Sequence, residues 1–66
     1  MKPHVERMVI EKQALDEKIV ALNKFLPTGI FQMLAKEDQD LLTHQVKLMS
    51  AYSSTLGMRI MRATAE

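Results

Sequence analysis

The side chains best suited to chemistry in this sequence are cations that could bind an anion. Four of them lie near the two ends of the chain: Lys2, Arg7, Arg59 and Arg62. If the ends fold side by side, these cations and His4 form one basic surface. Lys2 and Arg7 also lie where a helix is predicted to begin, and a helix start attracts anions. Incidental surface charge is the alternative interpretation of this cluster.

Tyr52 and Lys12 form a second candidate site. If self-association leaves a cleft between helices, the ring of Tyr52 and the ammonium group of Lys12 could hold a base and a phosphate. The alternative, which we favour, is a buried polar network that fixes the register of packed helices.

Catalytic chemistry is not predicted. Three serines lie on the second half of the chain, at Ser50, Ser53 and Ser54, but no histidine is spaced to act as their base. There is no glycine-rich phosphate loop and no Glu-x-x-His pair. We therefore expect no enzyme activity, no catalytic residue, no cofactor and no metal.

Length and composition predict a single domain over residues 1–66 that depends on self-association. A chain of 66 residues buries a small core, and such chains usually need a disulfide, a metal or a second subunit. There is no cysteine and there are only two histidines, so a homo-oligomer, a dimer or larger, is expected. No apolar run is long enough for a membrane span and no signal peptide begins the chain, so we expect a cytoplasmic protein.

The apolar spacing predicts two long helices joined by a short connector. The first runs from about His4 to Leu26, and the second from about Lys36 to Met61 with frayed residues after it. Between them, Pro27 ends the first helix and Thr28 is a candidate cap for a helical turn. Two residues of this turn, Phe31 and Leu34, are predicted to plug the end of the core.

The second helix carries residues at alternating steps of three and four, which is the spacing of a helix–helix seam. The predicted seam consists of Leu42, Gln45, Met49, Tyr52, Leu56, Arg59 and Ala63, and the first helix contributes Leu15, Ile19 and Leu22. Gly57 within this helix is interpreted as a tolerated glycine, with a close helix approach as the alternative. The fold class is all-α: an antiparallel two-helix hairpin with a short helical connector, assembled into a homo-oligomeric bundle.

The chain resembles a family of small phage proteins over most of its length, from about Val5 to Ile60. The resemblance rests on three stretches: Glu11-Lys12-x-x-Leu15-Asp16-Glu17-Lys18-Ile19-x-x-Leu22-x-x-Phe25, then Ile30-Phe31-x-x-Leu34, then Gln39-x-x-Leu42-x-x-Gln45-x-x-x-Met49-x-x-Tyr52-x-x-x-Leu56-x-x-Arg59-Ile60. These proteins are found in tailed phages and prophages and are described as related to an open reading frame of a crAss-like phage. The connector at Pro27 and the poor helix cap at Ala35 depart from the expected pattern.

The resemblance implies a context rather than an activity: a phage accessory protein that acts in the host cytoplasm. We therefore expect a non-enzymatic counter-defence or host-takeover factor. It would sequester a cyclic nucleotide or other anion, as phage nucleotide sponges do, or inhibit a host protein. The alternatives are an oligomerisation module without a small-molecule ligand and a weak nucleic-acid-binding protein, for which a net charge of +1 leaves few phosphate contacts.

Overall fold

The structure, a computed structural model, describes residues 2–65 and consists of three helices in that range. These are α1 (Pro3–Phe25), α2 (Gly29–Gln32) and α3 (Lys36–Thr64). The two long helices pack against each other as an antiparallel hairpin, with overall extents of 49 × 14 × 14 Å. The predictions of an all-helical chain and of two long packed helices are confirmed. No helix of the described residues is long and apolar enough to cross a membrane.

The connector is a capped helical turn, as predicted. Thr28 accepts a hydrogen bond from the backbone N–H of Phe31 at 3.3 Å and donates one to the carbonyl of Phe25 at 2.7 Å. The ring of Phe31 is buried and meets the ring of Phe25 edge to face, with centroids 5.9 Å apart. Phe31 therefore closes this end of the core, whereas Leu34 is 36% exposed and does not.

Gln39 holds the connector against the start of α3. Its side-chain amide donates to the carbonyls of Gln32 at 3.1 Å and Leu34 at 2.8 Å. Ala35, at the N-cap of α3, provides no side-chain cap. The glutamine thus satisfies carbonyls at the end of α2 that have no helical partner, and it does so from the first turn of the next helix.

The seam of α3 differs from the predicted one at every second position. The side chains facing α1 are buried or half-buried, and they are Leu42, Val46, Met49, Ser53, Leu56, Ile60 and Ala63. Gln45, Tyr52 and Arg59 are exposed and do not face α1, so within one chain the seam does not include them; their place in a seam between copies stays a prediction. Each lies one residue before the true position, which rotates it about 100° towards solvent.

The seam of α1 begins at the buried Val5 and continues through half-buried positions. These are Met8, Lys12, Leu15, Ile19 and Leu22. Lys12 is the cation among them, in the middle of the rod. Lys12 therefore occupies a seam position at which the apolar residues before and after it on the same face predict a hydrophobic side chain.

The last turns of α3 stay helical, so the predicted fraying from Arg62 is wrong for the residues up to Thr64. Ile60 and Ala63 remain half-buried against α1, and Thr64 donates a hydrogen bond to the carbonyl of Ile60 at 2.8 Å. Arg62 adds a cation in the last turn, which complements the helix dipole. Glu66, also predicted to fray, lies outside the described residues.

Candidate functional site

An open groove of about 360 Å³ lies between the first turns of α1 and the last turns of α3. Antiparallel packing brings these turns together at the end of the rod opposite the connector. The groove is lined by His4, Met8, Arg59, Arg62 and Ala63. Two guanidinium groups and one imidazole thus surround a concave surface without a carboxylate in its lining.

The two groove arginines are exposed and form no ion pair with another residue of the range 2–65. Glu6, in the first turn of α1, is exposed as well and forms no ion pair with Arg59. Because Arg59 is exposed, its charge remains hydrated and carries no burial penalty. Its donors are available to an incoming anion.

Of the six predicted ligand-binding residues, only Arg59 and Arg62 line the groove. Lys2 and Arg7 are exposed near the start of α1 but lie outside the lining. Their charges contribute to the field at this end of the rod. His4, which the sequence places on the basic surface, and Met8, which it does not, complete the groove from α1.

Lys12 and Tyr52, the second candidate site, point to different partners. Lys12 donates to Asp16 at 2.8 Å and to Ser53 at 3.0 Å, and the Ser53 hydroxyl donates to Asp16. These three side chains form a polar cluster between the helices. The ammonium group of Lys12 thus binds a carboxylate and a hydroxyl. Tyr52 is not part of this cluster, so the structure does not join Lys12 and Tyr52 in one cleft.

Gly57 lies directly against this polar cluster. A Cβ atom placed on Gly57 would be 3.2 Å from Cε of Lys12, closer than ordinary van der Waals contact. The structure therefore supports the close-approach interpretation of this glycine, the contact being with the stem of Lys12. Because glycine has no side chain, Gly57 of α3 leaves room for the side chain of Lys12 from α1.

The pKa of Asp16 lies below its usual value because its carboxylate accepts a hydrogen bond from Lys12. The bond from Ser53 and the charge of Lys12 act in the same direction, and partial desolvation opposes them. A lowered pKa in the folded state stabilises the protein above the unfolded pKa of about 3.9, and this contribution disappears as the pH falls through the folded value.

We therefore expect the stability difference between the wild type and Asp16→Asn to depend on pH. The difference should be constant above about pH 5 and shrink as the pH falls below about 4. Protonation then neutralises the Asp16 carboxylate, so the wild type loses the charge that distinguishes it from the Asn variant. Urea unfolding of both proteins between pH 2 and pH 7 measures this. A difference that stays constant down to pH 2 would contradict the role of the Asp16 charge.

Tyr52 is half-exposed and lies outside the lining of the groove. Its hydroxyl donates a hydrogen bond to the carboxylate of Glu11 across the two helices. This bond raises the pKa of Tyr52, together with desolvation and the charge of Glu11, while the charge of Arg59 acts in the opposite direction. Arg59 lies seven residues further along α3, about two turns, on the same flank. Tyr52 therefore lies about two turns of α3 away from the groove residue Arg59.

The sequence pattern contains a signal for the polar cluster between the helices, which spacing alone did not predict. Asp16, Ser53 and Gly57 are polar or small residues at positions that continue an apolar seam. A seam that carries such residues on both helices, with Lys12 opposite, indicates an internal polar cluster. Among residues 2–65 no group of three or more His, Cys, Asp or Glu is arranged to hold a metal ion.

Comparison with known proteins gives one match. No curated protein and no solved structure matches the chain. The model of a family described as Sequestin matches residues 2–62, which include all of α1, α3 up to Arg62, and four of the five residues that line the groove. The family name fits a binding or sequestering role. Since the match extends over nearly the whole chain, the protein belongs to the Sequestin family.

Proposed function

We propose that the protein acts by binding and not by catalysis, and that it sequesters a small phosphate-bearing anion such as a signalling nucleotide. The observation that carries this proposal is the groove in which His4, Arg59 and Arg62 meet without a carboxylate. The planar guanidinium groups of arginine match the oxygen atoms of a phosphate in a bidentate geometry. The sequestering sense of the family name agrees with this role.

Both helix ends at the groove bear on anion binding. The start of α1 carries partial positive charge and favours an anion, whereas the end of α3 carries partial negative charge and opposes one. Arg59 and Arg62 offset the unfavourable end, and Lys2 and Arg7 add positive charge to the favourable one. Glu6 in the first turn of α1 opposes them, but the cations of the described residues at this end outnumber it, so we expect the net field there to attract an anion.

Tyr52 extends the proposed site beyond a simple phosphate. A nucleotide whose phosphate binds Arg59 could reach the half-exposed ring of Tyr52 if its base extended about two turns back along α3. Base–aromatic stacking contributes about 1–3 kcal/mol per base. The proposal therefore favours a nucleotide over an inorganic anion of the same charge.

The phage context and the self-association predicted from the sequence belong to the proposal as well. A phage accessory protein that sequesters a host signal would act as a counter-defence factor in the host cytoplasm. Ligand pockets bury most of a ligand's surface, and a groove open on a two-helix rod buries less. The protein would therefore act stoichiometrically, with abundance compensating for moderate affinity.

Thermal unfolding in the presence of anions tests the binding function. Phosphate, sulfate, cyclic dinucleotides and cyclic trinucleotides should each raise the melting temperature relative to chloride at equal ionic strength. A nucleotide present at 100 times its Kd stabilises the folded state by about 2.7 kcal/mol. If no phosphate-bearing compound stabilises the protein more than chloride does, the anion function is wrong.

A second candidate function is inhibition of a host protein through exposed apolar side chains. Met33, at 85% exposure, and Met58 are both accessible, and methionine suits adaptable binding surfaces. Ile10 and Val20 on α1 are exposed too, as this interpretation requires. Co-purification of one host protein in a fixed ratio, lost on Met33→Glu, would favour this candidate over the first.

A further inference from the structure

A second stripe of aligned residues, with two leucines and a tyrosine, runs along α3 beside the seam. It consists of Leu41, Gln45, Leu48, Tyr52, Thr55 and Arg59, at alternating steps of four and three, and we call it the outer stripe. Leu41 is 66% exposed and Leu48 is 57% exposed. The steps of four and three keep one face of a helix aligned. α3 therefore presents one face to α1 and a neighbouring face, with two leucines, to solvent.

The chain exposes more surface than a compact domain of its mass, as its rod shape requires. The chain exposes 5118 Å², whereas a compact monomer of 7.5 kDa is expected to expose about 4,200 Å². The excess of roughly 900 Å² is close to the ~800 Å² that each partner buries in a standard interface. The radius of gyration, 15.0 Å, likewise exceeds the ~11 Å of a compact domain of this length. One copy of the rod therefore has enough surplus surface for one interface of ordinary size.

We propose that the outer stripe binds the same stripe of a second copy, with the two α3 helices antiparallel about a two-fold axis at Leu48. Glu37 and Arg59 each lie eleven positions from Leu48, on opposite sides and about three turns away. An antiparallel pair therefore places Glu37 of one copy opposite Arg59 of the other, at both ends of the interface. Leu48 then meets its own counterpart, as the axis of an isologous interface requires.

Charge selects this orientation over the parallel one. A parallel two-fold arrangement places Arg59 beside Arg59 and the acidic starts of α3, with Glu37 and Asp38, beside each other. Like charges across an interface are unfavourable and opposite charges are favourable. The helix dipoles add to the same preference, since antiparallel helices bring opposite ends together.

This dimer does not depend on a ligand. Arg59 also lines the groove and Tyr52 belongs to the outer stripe, so a bound nucleotide and the second copy compete for both side chains. The oligomeric state is therefore measured on ligand-free protein in chloride buffer. Under these conditions, failure of the dimer and failure of anion binding are separate results.

Sedimentation of two matched variants tests the surface. Leu48→Glu places a charge on the proposed axis, and Met58→Glu places the same charge at an equally exposed position on another face of α3, 59% exposed against 57%. At micromolar concentration we expect the wild type and Met58→Glu to be dimers and Leu48→Glu to be a monomer with unchanged helix content. A monomeric wild type, or a Leu48→Glu protein that remains a dimer, would overturn the proposal.

Charge reversal tests the orientation. Glu37→Lys and Arg59→Glu should each weaken the dimer about tenfold or more, because each places like charges opposite one another. The double variant restores opposite charges and should recover most of the wild-type dimer affinity, with circular dichroism confirming that all three proteins fold. Failure of the double variant to recover affinity would overturn the antiparallel arrangement.

Discussion

Phe31→Ala is expected to lower the free energy of unfolding by about 3 kcal/mol, which is the usual effect of removing a buried aromatic ring. The ring is 9% exposed and packs edge to face on Phe25 at the closed end of the hairpin. Its removal leaves a cavity that the capped turn cannot fill, because Thr28 fixes the backbone of α2. Urea unfolding followed by circular dichroism measures the change.

Ile30→Ala is the matched control for this experiment. Ile30 lies in the same turn, but its side chain is 68% exposed, so its truncation should change stability by no more than about 0.5 kcal/mol. Similar effects of the two substitutions would mean that Phe31 does not close the core. A change within about 0.5 kcal/mol for Phe31→Ala alone would lead to the same conclusion and would make Phe31 a candidate contact for a partner.

The sequence predicts the elements of this fold well because their signals are local. Helical spacing, the break at Pro27 and the capping ability of Thr28 each depend on residues within a few positions of one another. The start of α3 at Lys36 is likewise predicted, from the acidic residues that follow. The clamp by Gln39 could not be predicted in this way, because its acceptors lie on the preceding turn and depend on how the connector folds.

The side of α3 that faces α1 could not be predicted from spacing alone. Leu42, Met49 and Leu56 belong to both possible seams, since positions three or four residues away satisfy the same pattern. The choice between Tyr52 and Ser53 depends on the opposite helix. Ser53 faces inwards because Lys12 and Asp16 offer it hydrogen bonds, and that pairing across 41 residues has no local signal.

The basic groove was predicted in part for a related reason. Antiparallel pairing of the chain ends follows from the hairpin topology, so the proximity of His4 to Arg59 and Arg62 was expected and agrees with the lining of the groove. Arg59 itself was assigned to the seam, where it would need a partner. Because Arg59 is exposed, its charge needs no buried partner and its guanidinium group is accessible to an anion from solvent.

Arg59→Leu is expected to leave the protein folded and to abolish stabilisation by sulfate, phosphate and the cyclic nucleotides. Arg59 is exposed and forms no ion pair within residues 2–65, so its removal breaks no such contact in the fold. It does remove one of the two guanidinium groups that line the groove. The wild type should gain about 2.7 kcal/mol from a nucleotide at 100 times its Kd, and the variant should gain nothing beyond the effect of chloride.

Lys47→Leu is the control for the loss of one positive charge. Lys47 is exposed on the same helix but does not line the groove, so this variant should respond to sulfate as the wild type does. If binding depended only on net charge, the two variants would lose the same share of the response. Equal melting shifts with sulfate for the wild type and Arg59→Leu would contradict the anion site, because the response would then arise without the guanidinium group on which the groove depends.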